Sequence, residues 1–250
     1  MLKAPFSAPF GGFHYKNENI YVHVIEEFIE NLIEYARKQE IQEASLTLPP
    51  DIYQQSFNAK LVNALIRMDF KMCVPDITNW IELKYFQGRY SQRSSREYYH
   101  QAVRNNLSFC LLKDIDEKRM AYEIVCQNRK QFGRPIHMTF EDVMHTGKLW
   151  PVDFFAAKHP DGDMLASGIF YQFPGKITYA VFWGDNEVGR PLRAMDFLAF
   201  NLIDYYKMQG FEYLDLGKFT ESGIPNEGLL RFKETHESIS SLRYSFTWHA

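Results

Sequence analysis

The chain has 250 residues, 46% hydrophobic and 24% charged, with a net charge of −3. That length buries a real core in one large domain or two small ones, and the mild acidity excludes a global basic field for nucleic acid or anionic lipid. Cys73, Cys110 and Cys126 stand far apart without a CxxC pair, which argues against a disulfide framework or structural zinc; the N-terminus lacks an apolar leader core, and no run of about 18 uncharged apolar residues exists, so a cytoplasmic protein without a membrane span is expected.

In chain order, Phe10–Tyr15 reads as a strand and Tyr21–Gln39 as a helix. Ala44–Leu48 is a strand that stops at Pro49-Pro50, Ser56–Met68 a helix, and Lys71–Val74 and Trp80–Tyr85 are short strands. Gln87–Arg96 is polar and arginine-rich, a linker by composition, and a helix follows over Arg96–Asn106. Asn106–Lys113 is a strand. Asp114–Phe132 is a helix with Ile115, Met120, Ile124 and Phe132 expected on its apolar face. Thr139 caps another helix, with Glu141 and Asp142 in its first turn, and Gly147 ends it.

Three strands follow, Leu149–Lys158, Met164–Phe173 and Lys176–Trp183, joined by turns at Pro160–Asp163 and Pro174-Gly175 in an antiparallel meander. Arg190–Gln209 is an amphipathic helix whose stripe is Leu192, Met195, Leu198, Ala199, Leu202 and Tyr206. Phe211–Leu216 is a strand, Asn226–Thr235 a short helix and Ile239–Trp248 a final strand. A meander followed by a right-handed crossover gives an α/β (α+β) fold, a mixed sheet with helices on both faces.

The first half, β-α-β-α-β-β, matches the second half from Lys176 onward. Leu32-Ile33-Glu34-Tyr35 before one strand parallels Leu202-Ile203-Asp204-Tyr205 before the other. The expected division is a partial N-terminal copy over 1–86, a linker and bridging helix over 87–106, and a complete domain over 107–250.

Standard catalytic signatures are absent: there is no GxGxxG after a strand, no P-loop, no HExxH and no GxSxG. The histidines are scattered, His137 and His145 lack ligand spacing, and no metal is expected. What remains is the element order and one segment, Tyr213-Leu-Asp215-Leu-Gly217 followed by Gly228-Leu-Leu-Arg-Phe232-Lys233.

That segment resembles the Gcn5-related N-acyltransferase (GNAT) superfold. More narrowly it resembles the Fem-type branch, with a strand ending in a YDFGG-like run, then a loop, a glycine and a helix bearing an FK pair. The resemblance covers about residues 95–249 best and 8–85 fairly. It implies two GNAT-like lobes and the transfer of aminoacyl groups onto peptidoglycan precursors.

Amide formation from a thioester or aminoacyl ester passes through a tetrahedral oxyanion, which a fixed cation stabilises, and the attacking amine must lose a proton. Lys233 is the candidate cation, with a solvated lysine beside Glu234 as the bland alternative. Asp215, at a strand end, is the candidate to orient the amine or Lys233, or else it caps the following loop. Trp183 is a candidate stacking platform, and Arg190, Arg193 and Arg231 are candidate contacts for a phosphate-bearing donor or a nucleotide-linked sugar. Coenzyme A-using members of the superfold carry [QR]xxGx[GA] at the start of the central helix, where Val188-Gly189-Arg190-Pro191 stands here, and the proline removes a backbone donor.

The leading expectation is an N-acyltransferase acting on an amine of a cell-envelope or polysaccharide precursor, with acyl-coenzyme A or aminoacyl-tRNA as donor. Its rivals are a coenzyme A-dependent acetyltransferase on a small amine or nucleotide sugar, and a catalytically silent GNAT-fold binding protein. The truncated first copy favours the silent alternative.

Overall fold

In the computed structural model, which describes residues 1–15 and 19–250, the chain opens with β1 (Leu2–Ala4), α1 (Val22–Lys38), β2 (Glu43–Thr47), α2 (Asp51–Arg67) and β3 (Lys71–Met72). It continues through β4 (Asp76–Glu82), a 3₁₀ turn (Leu83–Tyr85), α3 (Arg93–Arg104), β5 (Ser108–Leu111), α4 (Ile115–Gln131) and α5 (Phe140–Thr146). The meander β6 (Val152–Lys158), β7 (Met164–Phe173) and β8 (Ile177–Asp185) precedes α6 (Ala194–Met208) and β9 (Tyr213–Lys218). A small hairpin, β10 (Thr220–Glu221) and β11 (Ile224–Pro225), leads to α7 (Glu227–Glu234), β12 (Ile239–Arg243) and β13 (Ser245–His249). Two compact units result: residues 1–78, 218–227 and 240–250 form the first, and 79–217 with 228–239 the second.

In the first unit, β1, β2, β13 and β3 form a sheet in that order. β1 and β2 are parallel, with Lys3 opposite Ser45, and α1 is the crossover between them. Ile25, Ile29 and Ala36 of α1 and Leu61 and Leu65 of α2 enclose a core with Leu46, Phe246 and Trp248. The strand expected over Phe10–Tyr15 is not one. Pro9 and the Gly11-Gly12 pair are poor ladder residues, and the segment is held instead by the Gly11 N–H on the Thr47 carbonyl at 2.8 Å. The parallel strand is supplied earlier, at β1.

In the second unit, β5 to β8 are antiparallel neighbours and β9 lies parallel to β8. The full order of this sheet is β12-β4-β9-β8-β7-β6-β5. Side chains alternate across it as the pleat requires: Phe154 and Ile169 enter the core on the α4 face, while Phe155 and Phe170 enter the core on the α6 face. The crossover β8–α6–β9 repeats β1–α1–β2, so the fold is GNAT-like with an N-terminal partial copy.

Two other expectations change. The buried face of α4 is Ala121 and Val125, whereas Ile115, Met120 and Phe132 are exposed; the small residues let the helix lie close on β7. The final strand is broken at Tyr244: β12 belongs to the seven-stranded sheet and β13 pairs with β2 and β3. The stripe read on α6 is present but incomplete, since Phe197 and Ile203 are buried as well, with Tyr99 of α3 stacked on Phe200 at 3.9 Å. Thr139 does cap α5, in a full capping box with Asp142. Among the described residues no helix is long and apolar enough to cross a membrane.

Candidate functional site

Strands β8 and β9 pair only from Ile177↔Tyr213 to Tyr179↔Asp215, although both continue beyond that point. Where neighbouring parallel strands part, backbone groups and side chains that would otherwise serve the ladder become available for chemistry. Asp215 stands at this fork with 0% of its surface exposed, and its Oδ1 accepts the Gly217 N–H at 2.7 Å. Gly217 has φ +68, a conformation that glycine adopts at little cost. The Tyr179 ring edge and hydroxyl lie 3.6 Å from where a Cβ on Gly217 would stand.

Lys233 completes the group. It projects from α7 into the protein, is only 1% exposed, and its Nζ donates to the carbonyl oxygens of Leu216 at 2.7 Å and Gly217 at 2.6 Å. The solvated-lysine alternative is therefore excluded by burial. The helix that carries Lys233 is fixed at its C-terminal end. The Ser238 hydroxyl donates to the Lys233 carbonyl at 2.8 Å, and that of Ser95 to the Thr235 carbonyl at 2.7 Å. His236 Nδ1 bonds the Phe232 carbonyl oxygen at 2.6 Å, and its Nε2 lies 3.2 Å from Asp196 Oδ1 without hydrogen-bond alignment.

The loop between β9 and α7 is built around Asp76, in the first unit. Asp76 Oδ1 accepts from the Thr220 hydroxyl at 2.8 Å and the Gly223 N–H at 3.1 Å, while Arg243 Nη2 donates to Oδ2 at 3.1 Å. Burial opposes ionisation of Asp76, but these donors and the Lys218 and Arg243 charges outweigh it and hold the carboxyl below its usual pKa.

The other residues singled out in the sequence lie elsewhere. Trp183 is 7% exposed, packed edge-to-face with Phe170 and Phe232 in the core, so it offers no open stacking platform. Arg190 donates to Gln131 Oε1 at 3.1 Å and Asp185 Oδ1 at 3.3 Å, and its guanidinium lies over Phe132. Arg193 covers the Tyr98 ring at 3.7 Å, and Arg231 is exposed on α7. Asp76 and Arg243 carry no local signal in the sequence, because they pair with each other and with the β9–α7 loop across long sequence separations.

The β8–α6 loop tests the fit of a coenzyme A pyrophosphate, which this superfold binds on backbone N–H groups. Here the Gly189 N–H goes to Asn186 Oδ1 at 2.7 Å and the Arg190 N–H to the Asn186 carbonyl at 3.2 Å. The Arg193 and Ala194 N–H groups bond the Arg190 and Gly189 carbonyls, and Pro191 has none to offer. Burial also lifts the Asp185 carboxyl above its usual pKa, against the pull of Arg190. With these four N–H groups already bonded and Pro191 offering none, the loop does not present the usual pyrophosphate cradle.

A forked parallel strand pair, a meander on one side and a crossover helix behind give the chain a GNAT-like fold. The structure is similar to that of FemX, with a TM-score of 0.70 at 11% identity over 98% of this chain and 82% of that one. It is also similar to the C-terminal domain (DUF2156) of a putative lysylphosphatidylglycerol synthetase from Agrobacterium fabrum, with a TM-score of 0.64 at 12% identity over 90% and 73% of the two chains. A tandem GNAT protein from the clavulanic acid biosynthesis pathway gives a TM-score of 0.53 at 11% identity over 89% and 69%. No protein-family model matches the sequence, and no curated protein matches it.

Proposed function

We propose that this chain is an N-acyltransferase that moves an acyl or aminoacyl group onto an amine of a cell-envelope or polysaccharide precursor. The observation that carries the reading is the buried Lys233 ammonium held on two carbonyls beside Asp215 at the β8–β9 fork. In that reaction the amine nitrogen attacks the acyl carbon and forms the new C–N bond. Lys233 stabilises the charge that develops on the carbonyl oxygen, in a water-excluded place where a fixed cation is worth most. Asp215 orients the amine or accepts its proton, and the donor's C–O bond breaks as the leaving hydroxyl takes up a proton. Lys233 and Asp215 share one rigid strand-and-helix frame, which supplies the pre-organisation such a step requires.

The closed β8–α6 loop weighs against coenzyme A and for an aminoacyl ester such as aminoacyl-tRNA as donor. The FemX likeness, and a second neighbour named for a lysyl-bearing phospholipid, support the same side of the superfold. The test is transfer of a labelled aminoacyl group to a cell-envelope precursor bearing a free amine. Wild-type transfer with loss in Lys233→Met supports the assignment, and equal rates from the two proteins would sink it.

A further inference from the structure

The chain has four tryptophans, and among the described residues Trp80 is the one whose indole N–H is buried without a hydrogen-bond acceptor. Trp80 is 8% exposed, and the nitrogen itself is out of reach of bulk water. An indole nitrogen can only donate, and a buried donor left unpaired costs free energy that a ligand oxygen would recover.

The sheet places this donor beside the fork. β4 and β9 are neighbours in the seven-stranded sheet. The Leu83 N–H donates to the Glu212 carbonyl at 3.0 Å and the Phe219 N–H to the Ile77 carbonyl at 3.1 Å, so the two strands run antiparallel. Counting along them from the first of these bonds sets Ile81 opposite Leu214 and Trp80 opposite Asp215. Burial agrees: Ile81, Leu83, Leu214 and Leu216 enter the core on the α6 face, so the pleat turns Trp80 and Asp215 to the other face. Theirs is a pair without ladder bonds of its own, the kind in which facing side chains stand closest.

We propose that Trp80 is a substrate-binding residue, whose indole N–H donates to an uncharged oxygen next to the amine that Asp215 holds. A carboxylate accepts an N–H and an indole gives one, so the pair reads a nitrogen and an oxygen of the acceptor in a fixed order. That oxygen is a hydroxyl or an amide carbonyl, because a carboxylate there would stand against the carboxylate of Asp215. The acceptor class is therefore an amine with a neighbouring neutral oxygen, such as an amino sugar or an amino acid amide. The inference rests on the transferase reading for the role of Asp215.

Nuclear magnetic resonance of the full chain with isotope-labelled tryptophan indoles tests it, the Trp80 signal being the one absent from Trp80→Phe. The probes are D-glucosamine and L-alaninamide, with cyclohexylamine as an amine that lacks the oxygen. The expected result is a saturable displacement of the Trp80 indole signal by an oxygen-bearing amine, with about tenfold weaker binding of that amine by Trp80→Phe in calorimetry. An indole signal unmoved by both oxygen-bearing amines, or equal affinity in Trp80→Phe, would overturn the assignment. Should Trp80→Phe lose its circular-dichroism signature of folding, the wild type carries the test by itself, and cyclohexylamine bound as tightly as the oxygen-bearing amines overturns it. Lys233→Met removes the cation but leaves Trp80 and Asp215 in place, so it should keep the indole response. An indole response without transfer by the wild type then counts against the chemistry alone, and transfer without an indole response counts against Trp80 alone.

Discussion

Lys233 Nζ donates to the Leu216 carbonyl oxygen at 2.7 Å, so a helix at one end of the chain's last crossover is pinned to the strand that precedes it. Replacing Lys233 by Met keeps much of the volume and removes the cation. The carbonyls of Leu216 and Gly217 lose buried donors, which costs about 1–3 kcal/mol. Transfer should fall by about 10²–10³-fold if the ammonium stabilises the oxyanion. Urea denaturation and single-turnover transfer separate the two effects: a rate that falls no further than the folded fraction would leave Lys233 a structural residue.

Asp215→Asn asks a different question. Its remaining amide oxygen still accepts the Gly217 N–H, so the strand end should hold and stability should change by about 1 kcal/mol. The charge is gone, and with it the ability to take or orient the amine proton. Transfer is expected to drop by about 10²-fold with the thermal midpoint nearly kept, whereas full activity at pH 7 would show that only the loop-capping hydrogen bond matters.

Long periodic elements were legible, and so was the crossover order, because α6 and β7 bury continuous apolar runs. Lys233 and Asp215 were legible as candidates only, a lysine and an aspartate at fixed places in a short motif. Burial of Lys233 was not, since an FKE triplet on a short helix reads equally as solvated surface. Trp183 failed as a platform for the converse reason: a tryptophan at a strand end has the same pattern whether it faces ligand or core. The break at Tyr244 was hidden because Ile239–Trp248 alternates as one strand, and only pairing with β2 shows that its two halves serve different sheets. Asp76 carries no local signal at all, because its partners lie more than a hundred residues away.

That aspartate predicts an acid-sensitive loop. Its folded pKa is depressed below the usual 3.8, so between the folded value and 3.8 the unfolded chain binds more protons than the native one. The stability from Asp76 is therefore present above about pH 3.8 and is lost as pH falls through the folded value. Asp76→Asn should destabilise by about 1–3 kcal/mol at pH 7, chiefly by leaving Arg243 buried without its carboxylate. Urea titrations at pH 7 and at about pH 3 should show the gap from wild type closing at the acid end. A gap that is constant with pH would mean that Asp76 acts through shape alone.

The spent donors of the β8–α6 loop predict a ligand that does not bind. Acetyl-coenzyme A should produce no rise in melting temperature, because accepting its pyrophosphate would break the Gly189 N–H bond to Asn186 and those that follow it. A saturable heat in calorimetry, together with a concentration-dependent rise in melting temperature, would return the coenzyme A-dependent reading to first place.

The same loop carries a steric prediction. A Cβ on Gly189 would stand 2.4 Å from the Leu165 carbonyl oxygen and 3.0 Å from its carbonyl carbon, both backbone atoms of a central strand that cannot swing aside. Asn186 holds the loop at this distance, with its own N–H on the Leu165 carbonyl at 3.0 Å and its side-chain Nδ2 on the Met164 carbonyl at 3.0 Å. Gly189→Ala must therefore push the loop off β7, and a loss of about 1–3 kcal/mol is expected. Asn186→Ala leaves the glycine in place but strips its N–H of a partner, for a loss of about 1 kcal/mol. If the clash and the hydrogen bond describe one closed arrangement, the double variant should lose less than the sum of the two single losses, since an already loosened loop can move to admit the methyl group. Fully additive losses in urea denaturation would show that Asn186 and Gly189 act independently, and that the loop is not held shut by their contact.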